Sequence, residues 1–291
     1  MTSSTVCNIE GWENPKTIIL SNGLSPLRSL GQNFLIEKNT LIYICNQANI
    51  TLDDAILEIG PGTGALTFFL NQTEAQLMCV EYDKGLAKIL KQQYNSESTE
   101  IIHGDILRSK KELNASAIEY INSQRGHGKR IKIISNLPYK ILSPLLWVLM
   151  DIKDLWHECI FLVQKEFADK LVAPINSKDY TPLTILSKLY FDVSLLKKVS
   201  PKQFWPQPNV TSAIIKIKAK ENIGLIDEDF VIFLKNAFSQ RRKSLQKLLK
   251  PIYSKNSIIE KSYSSLKLKQ NTRAEELNPI QLQNLFKLLH V

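Results

Sequence analysis

The sequence predicts an α/β protein: an open, mostly parallel sheet with helices on both faces, followed by a small all-α C-terminal domain. Three observations carry that expectation. Short apolar runs at residues 55–59, 77–80, 101–103, 131–134 and 158–163 alternate with helical patterns, the rhythm of βα units. The first run ends in Gly60-Pro61-Gly62-Thr63-Gly64, and a helix is expected to follow over residues 65–70. From Asp227 the periodicity is helical alone, with Phe230, Phe233, Leu234, Ala237, Phe238, Leu245, Leu248 and Leu249 marking one long amphipathic stretch interrupted by Ser239-Gln240-Arg241-Arg242-Lys243-Ser244.

The 291 residues suffice for one large domain and a small one. Residues 1–27 read as an irregular, mobile lead-in with Asn22-Gly23 and Ser25-Pro26 as turn signals. Residues 28–222 form the α/β domain and 223–291 the helical one. Net charge is +9, and residues 226–291 carry 12 Lys/Arg against 6 Asp/Glu, so two thirds of the excess sits in the tail. Concentrated positive charge points to a polyanion, nucleic acid first, with a lysine-rich composition bias as the plain alternative. Cys7, Cys45, Cys79 and Cys159 are widely spaced with no C-x-x-C, so neither zinc nor a disulfide framework is expected. No run of 18 apolar residues predicts a membrane span. The first residues include Glu10, Glu13 and Lys16 and lack an apolar core, so neither a secretory signal nor an arginine-rich transit peptide is expected, and a reducing cytoplasm fits.

Taken in order, Leu30-Gly31-Gln32-Asn33-Phe34-Leu35 sets two amides between apolar anchors, either to present them to a ligand or as a loop docked on the core. Asn39 is expected to cap a helix reaching about residue 49. Strand, glycine turn and helix at 55–70 form the architecture of a nucleotide-type cofactor site, since glycines admit a ligand close to the backbone. The next strand ends in Glu81, 21 residues after Gly60, where a carboxylate can accept both hydroxyls of a ribose; a helix-cap acid is the alternative. Asp83 starts a helix. The third strand leads to Gly104-Asp105-Ile106, where Asp105 can accept an adenine amino group. Residues 107–130 read as a polar surface excursion.

The fourth strand stops at Asn136-Leu137-Pro138-Tyr139, because Pro138 has no N–H to continue a ladder. Asn136 and a nearby carbonyl can accept both N–H bonds of an exocyclic amine, and Tyr139 can stack on its ring. An ordinary strand exit is the alternative for these four residues alone. All four strand ends fall on one sheet edge, where open α/β sheets bind ligands. Helices are expected from Ser143-Pro144 to about 150, from 164 to 173, and from Thr181-Pro182 to about 190. A closing antiparallel pair is expected at 193–199 and 211–219. The stiff loop from Pro201 to Pro208 places Phe204 where it walls the target pocket or covers the sheet edge. In the tail, Arg241, Arg242 and Lys243 stand between apolar anchors, as a phosphate-contacting surface requires. Weaker helices are expected near 258–267 and 279–290, the last opened by Asn278-Pro279.

Across residues 27–291 these motifs resemble the KsgA-type rRNA adenine dimethyltransferases. The resemblance rests on Gly31-Gln32-Asn33-Phe34-Leu35, Leu57-Glu58-Ile59-Gly60-Pro61-Gly62-Thr63-Gly64-Ala65-Leu66-Thr67, Asn136-Leu137-Pro138-Tyr139 and Gln164-Lys165-Glu166. It extends through Phe204 to Pro208 with Ser212-Ala213, Phe238-Ser239-Gln240-Arg241-Arg242-Lys243, and Arg273-Ala274-Glu275. It implies a Rossmann-like class I methyltransferase sheet and S-adenosylmethionine as cofactor. The implied reaction is transfer of two methyls to N6 of each of two adjacent adenines in the 3′-terminal hairpin of small-subunit rRNA. By the same resemblance, Gln32, Asn33, Leu35, Gly60, Gly62, Glu81, Asp105, Ile106 and Asn136 bind the cofactor. Asn136 and the Leu137 carbonyl, with Pro138 and Tyr139, form the catalytic corner; Tyr139 and Phe204 stack on the target base, and Arg241, Arg242 and Lys243 bind RNA. The implied partner is the immature small ribosomal subunit, met by a monomer without metal or membrane. Ser29-Leu30 departs from the basic and aromatic pair usual in the family, which removes one expected RNA contact. Three alternatives stay open on the residues: a large-subunit adenine methyltransferase of the antibiotic-resistance type, a non-catalytic nucleic-acid-binding factor, and a small-molecule amine methyltransferase.

Overall fold

The computed structural model describes residues 8–94, 96–109, 112–221, 227–253 and 256–290, without the side chains of Tyr139 and Asn256. The strands, in chain order, are β1 (Phe34–Leu35), β2 (Asp54–Ile59), β3 (Gln76–Glu81), β4 (Thr99–His103), β5 (Leu107–Ser109), β6 (Glu112–Leu113), β7 (Arg130–Asn136), β8 (Glu158–Gln164), β9 (Phe191–Val199), β10 (Phe204–Trp205) and β11 (Ser212–Ala219). Seven of them make one sheet in the order β4-β3-β2-β7-β8-β11-β9. Strands β4, β3, β2, β7 and β8 run parallel, and β11 pairs antiparallel with β8, Ala213 opposite Val163. Every residue of β2 is buried, and successive residues face opposite sides, so both faces of the sheet are covered. The chain reverses direction of growth between β2 and β7, and there a ligand crevice opens at the carboxyl ends.

Two compact units result: 1–168 with 194–219, and 169–193 with 220–291. The division differs from a single cut at 222/223, a point that lies outside the described residues. The reason lies inside the second unit. Tyr180 donates its hydroxyl to the Leu277 carbonyl at 2.8 Å, and the Asn176 N–H reaches the Glu275 carbonyl at 3.0 Å. Its helices Glu228–Ala237 and Pro279–Leu289 share an aromatic cluster, with Phe286 5.2 Å from Phe230 and 5.6 Å from Phe233 between ring centroids. Asp227 caps the first of these helices and Asn278 the last. The helical stretch breaks after Ala237 and resumes as a separate short helix, Leu245–Leu249, so the interruption at Ser239–Ser244 falls where the sequence places it.

Four local expectations are corrected or refined in the first unit. Within the described part of the lead-in, Asn14 caps a helix, Pro15–Ser21, whose Ile18 and Ile19 are buried, where an irregular segment is expected. Residues 107–130 lie largely at the surface, as expected, but their described part is regular. It holds the antiparallel pair β5–β6 and the helix Ala115–Gly126, whose Tyr120 hydroxyl reaches the carbonyls of Ile56 at 3.1 Å and Gln76 at 2.8 Å. Glu37, not Asn39, caps the helix Lys38–Ala48. The helix after the glycine turn spans only Thr67–Leu70, a single turn that contributes little dipole of its own.

At the amino-terminal edge of the strands lies a buried charge network. Lys132 Nζ stands 2.9 Å from Asp54 and 3.6 Å from Glu158, and donates to the carbonyls of Ala48 at 2.6 Å and Asn49 at 2.9 Å. Arg130 meets Asp54 at 2.9 Å. Burial alone would raise the Asp54 carboxyl; Lys132, the Thr51 N–H and Arg130 reverse this and hold it below the ordinary carboxylate value.

Candidate active site

The crevice starts at the glycine turn. Gly62 has φ +64°, and a Cβ there would stand 3.1 Å from the Phe34 ring. Gly64 has φ +82°, and its Cβ would meet the Tyr94 ring at 2.7 Å. Both positions therefore exclude a side chain by conformation and by space. The Gly60 N–H donates to the Val80 carbonyl at 2.9 Å and the Ser135 hydroxyl to the Ile59 carbonyl, which ties the ends of β2, β3 and β7 together.

Glu81 closes β3 beside this turn. One carboxylate oxygen accepts from the Gly62 N–H at 2.8 Å and the other from the Asp83 N–H at 2.7 Å. Each oxygen retains a lone pair for a further donor. Burial pushes the Glu81 carboxyl up to about 7, against the pull of those N–H groups and with the Asp83 charge adding to the rise. Asp83 caps the helix Lys84–Tyr94 through the N–H groups of Gly85 and Leu86, and accepts from the Gln32 amide at 2.9 Å. Gln32 is held from its other end too, its oxygen accepting from the Leu27 N–H at 2.7 Å.

At the end of β7 the Asn136 amide nitrogen donates to the Asn33 carbonyl at 3.3 Å, which turns its oxygen the other way. The Leu137 N–H donates to the Leu162 carbonyl at 3.1 Å, and the Pro138 carbonyl accepts from Ile141 at 3.2 Å. The backbone of Tyr139 opens the short 3₁₀ turn Tyr139–Ile141; its side chain lies outside the described part. Strand β10 pairs antiparallel with β1, Leu35 opposite Phe204, and so brings the proline-rich loop onto the glutamine–asparagine segment.

These pieces enclose one cavity of about 260 Å³. Gln32, Asn33, Leu35, Gly60, Gly62, Glu81, Asp105, Ile106 and Asn136 all line it, as do Leu137, Pro138 and Phe204. Asp105 is exposed at its rim, with its carboxylate accepting from the Leu107 N–H at 2.9 Å. A half-enclosed apolar cavity with a few placed polar groups, at the carboxyl edge of a parallel sheet, is built to take a nucleoside-sized molecule.

A family model described as ribosomal RNA adenine dimethylase matches residues 25–290. The chain belongs to the ribosomal RNA adenine dimethylase family. It is thereby an enzyme, an adenine dimethyltransferase acting on ribosomal RNA. It is 35% identical to ribosomal RNA small subunit methyltransferase A of Ureaplasma parvum over 266 residues, covering 91% of this chain and 94% of that one. It is 38% identical to the protein of that name from Geobacter metallireducens over 232 residues, covering 78% and 82%. Among solved structures, a dimethyladenosine transferase from Plasmodium falciparum superposes with a TM-score of 0.70 at 23% identity, covering 88% of this chain and 98% of that one. The 23S rRNA methyltransferase ErmE gives 0.63 at 23% identity, covering 89% and 100%. These two likenesses bear on the fold, a class I methyltransferase sheet.

Two wall residues of the dimethylase cavity carried no role in the sequence reading. Glu58 is buried on β2, accepts from the Thr67 hydroxyl at 2.7 Å, and has its carboxyl pushed up to about 8 by burial, with the Glu81 charge adding. The Thr63 hydroxyl is buried and has no partner among the described residues. A strand-end acid and a turn threonine are visible in the sequence, but only burial distinguishes them. The tail cations also divide. All three are exposed, but the Arg241 guanidinium is committed within its own unit, bonding Glu275 and the carbonyls of Ser177 and Lys178. Among the described residues, no cluster of three or more His, Cys, Asp or Glu is placed to hold a metal, and no helix is long and apolar enough to cross a membrane.

Proposed function

We propose that this enzyme transfers methyl groups from S-adenosylmethionine to N6 of two adjacent adenines in the 3′-terminal hairpin of small-subunit rRNA, giving N6,N6-dimethyladenosines during small-subunit biogenesis. The observation that carries the reading is the meeting, in one cavity, of a carboxylate with both oxygens pre-aligned and the Asn136-Leu137-Pro138 corner. The names of the relatives from Ureaplasma and Geobacter support the small subunit as its target. The partner is the immature subunit, met in the cytoplasm by a monomer that uses no metal.

The cavity residues fit a nucleoside cofactor. The Glu81 oxygens keep lone pairs for the two ribose hydroxyls, Asp105 stands at the rim for the adenine amine, and the unpartnered Thr63 hydroxyl offers a donor beside the turn. Gln32, Asn33 and Leu35 cover the site, Gly60 and Gly62 meet the aminoacyl end, and Ile106 packs on the ring. When bound, the cofactor supplies a methyl on a positively charged sulfur, a strong electrophile.

The chain's own task is the nucleophile. An exocyclic adenine amine is a weak one because its lone pair is delocalised into the ring. Asn136 Oδ1 and the Leu137 carbonyl accept its two N–H bonds off the ring plane, which favours a pyramidal nitrogen with a localised pair. Tyr139 and Phe204 hold the flipped base between them. In-line positioning is then the main contribution to rate. No general base is required, because a methylated ammonium is acidic enough to lose its proton to water. Arg242 and Lys243 contact RNA phosphates. The test is labelled methyl transfer to unmethylated small subunits with the labelled nucleotides mapped; label confined to a single large-subunit adenine would move the enzyme to the resistance type.

A further inference from the structure

Residues 8–24 precede the span matched by the family model, yet they touch the cofactor cavity's walls from behind. Ile19, on the helix Pro15–Ser21, is buried against Phe34 and Leu86, with Leu24 and Trp205 packed around them. The Phe34 ring in turn rests on Gly62, where an added Cβ would stand only 3.1 Å from it. Trp12 donates its indole N–H to the Ala65 carbonyl at 3.4 Å, on the other side of the turn, and Lys38 sits 4.8 Å over its ring. The Gln72 amide donates to the Asn8 carbonyl at 2.9 Å. The glycine turn is thus gripped from one side through Ile19 and Phe34, and from the other by Trp12.

We propose that residues 8–24 are a positioning strap for the cofactor site, holding the glycine turn and the Phe34 segment in the geometry that binds S-adenosylmethionine. The proposal rests on reading the cavity as the S-adenosylmethionine site. Three left-handed glycines make the turn itself soft, since glycine surrenders the most conformational freedom on ordering. The Phe34 segment is held by a two-residue ladder to β10 and by single hydrogen bonds at Gln32 and Asn33, none of which reaches the Phe34 ring. Packing from the strap supplies the order that local sequence does not. Loosening it lowers the fraction of molecules in the binding-competent state, and the apparent dissociation constant rises in proportion.

The test uses the full chain with Ile19→Ala, Ile19→Val and Trp12→Phe, measured well below each variant's melting temperature. Calorimetry gives the dissociation constant for S-adenosylmethionine, and steady-state kinetics give KM for cofactor, KM for RNA and kcat. The strap predicts that Ile19→Ala raises both the dissociation constant and KM for the cofactor about tenfold, with kcat and KM for RNA within about twofold. Ile19→Val restores near-normal values. Trp12→Phe, which keeps an aromatic ring and deletes one hydrogen bond, raises the cofactor constants about threefold and decides the matter if Ile19→Ala does not fold. Unchanged cofactor constants with a lowered melting temperature would overturn the proposal, leaving the segment a stability element alone. Failure of the unaltered chain to bind S-adenosylmethionine would instead overturn the cofactor reading on which it stands.

Discussion

Asn136 on β7 donates its side-chain nitrogen to the backbone carbonyl of Asn33, 3.3 Å away and 103 residues earlier in the chain. The bond joins the amine-binding corner to the segment that covers the cofactor cavity. It also fixes which end of the amide faces the target. Asn136→Ala removes one of the two acceptors and this anchor. It is expected to lower kcat for methyl transfer about 10³-fold, with the dissociation constant for S-adenosylmethionine within a few-fold. Single-turnover transfer and calorimetry separate the two; equal loss of cofactor binding would remove Asn136 from the amine-binding role.

Glu81 predicts a pH dependence. Its carboxyl is raised to about 7 by burial. Only the ionised form offers acceptors to both ribose hydroxyls, so cofactor affinity is present above that value and lost as pH falls through it. Calorimetric dissociation constants for S-adenosylmethionine are expected to rise about tenfold per pH unit on the acid side. In Glu81→Gln the affinity is lower throughout and the dependence is flat. A wild-type profile that is flat between pH 5 and about 8 would contradict this role.

Lys132 is a stability residue at the far edge of the sheet. Lys132→Met leaves two backbone carbonyls without their donor, the buried Asp54 without its lysine, and Glu158 with its more exposed partners Lys216 and Lys218, at 3.5 and 3.9 Å. The expected loss is about 3 kcal/mol by denaturant unfolding, with kcat unchanged below the transition. Asp54 is depressed in the folded state, so its contribution is present above the ordinary carboxylate range and lost as pH falls through its folded value. The gap between variant and wild type is therefore expected to narrow in acid.

The tail cations separate by salt. Arg242→Ala with Lys243→Ala is expected to flatten the slope of log affinity for rRNA against log salt by about 1.5. Arg241→Ala is expected to leave that slope unchanged and to lower stability by about 1–3 kcal/mol, because two carbonyls and Glu275 lose their donor. Filter binding over a salt series reads the first and thermal unfolding the second.

The strands and the crevice were legible because they are local signals. An apolar run ending in glycine, Glu81, Asp105 or Asn136 announces both a strand and its carboxyl end, and the parallel order then brings the four ends together. What escaped depends on partners distant in sequence. The helix Ala115–Gly126 buries only Ala117 and Ile121, too few apolar positions for a clear period, and is fixed instead by the Tyr120 hydroxyl. The helix Pro15–Ser21 likewise has one short apolar face, explained only by Phe34 and Leu86. Arg241 reads like its two neighbours until its carbonyl partners at 177 and 178 are seen. The grouping of residues 169–193 with the C-terminal helices has no sequence punctuation, since Tyr180 serves equally well as a core residue of either unit.

The central claim is tested most directly by offering S-adenosylmethionine carrying a labelled methyl together with unmethylated small subunits, large-subunit rRNA and a DNA duplex in parallel, and mapping the labelled nucleotides. The account predicts two labels on each of two adjacent adenines in the 3′-terminal hairpin of the small-subunit rRNA, appearing about 10³-fold more slowly in the Asn136→Ala variant. RNA binding without any transfer by the unaltered chain, or label on a large-subunit adenine alone, would contradict it.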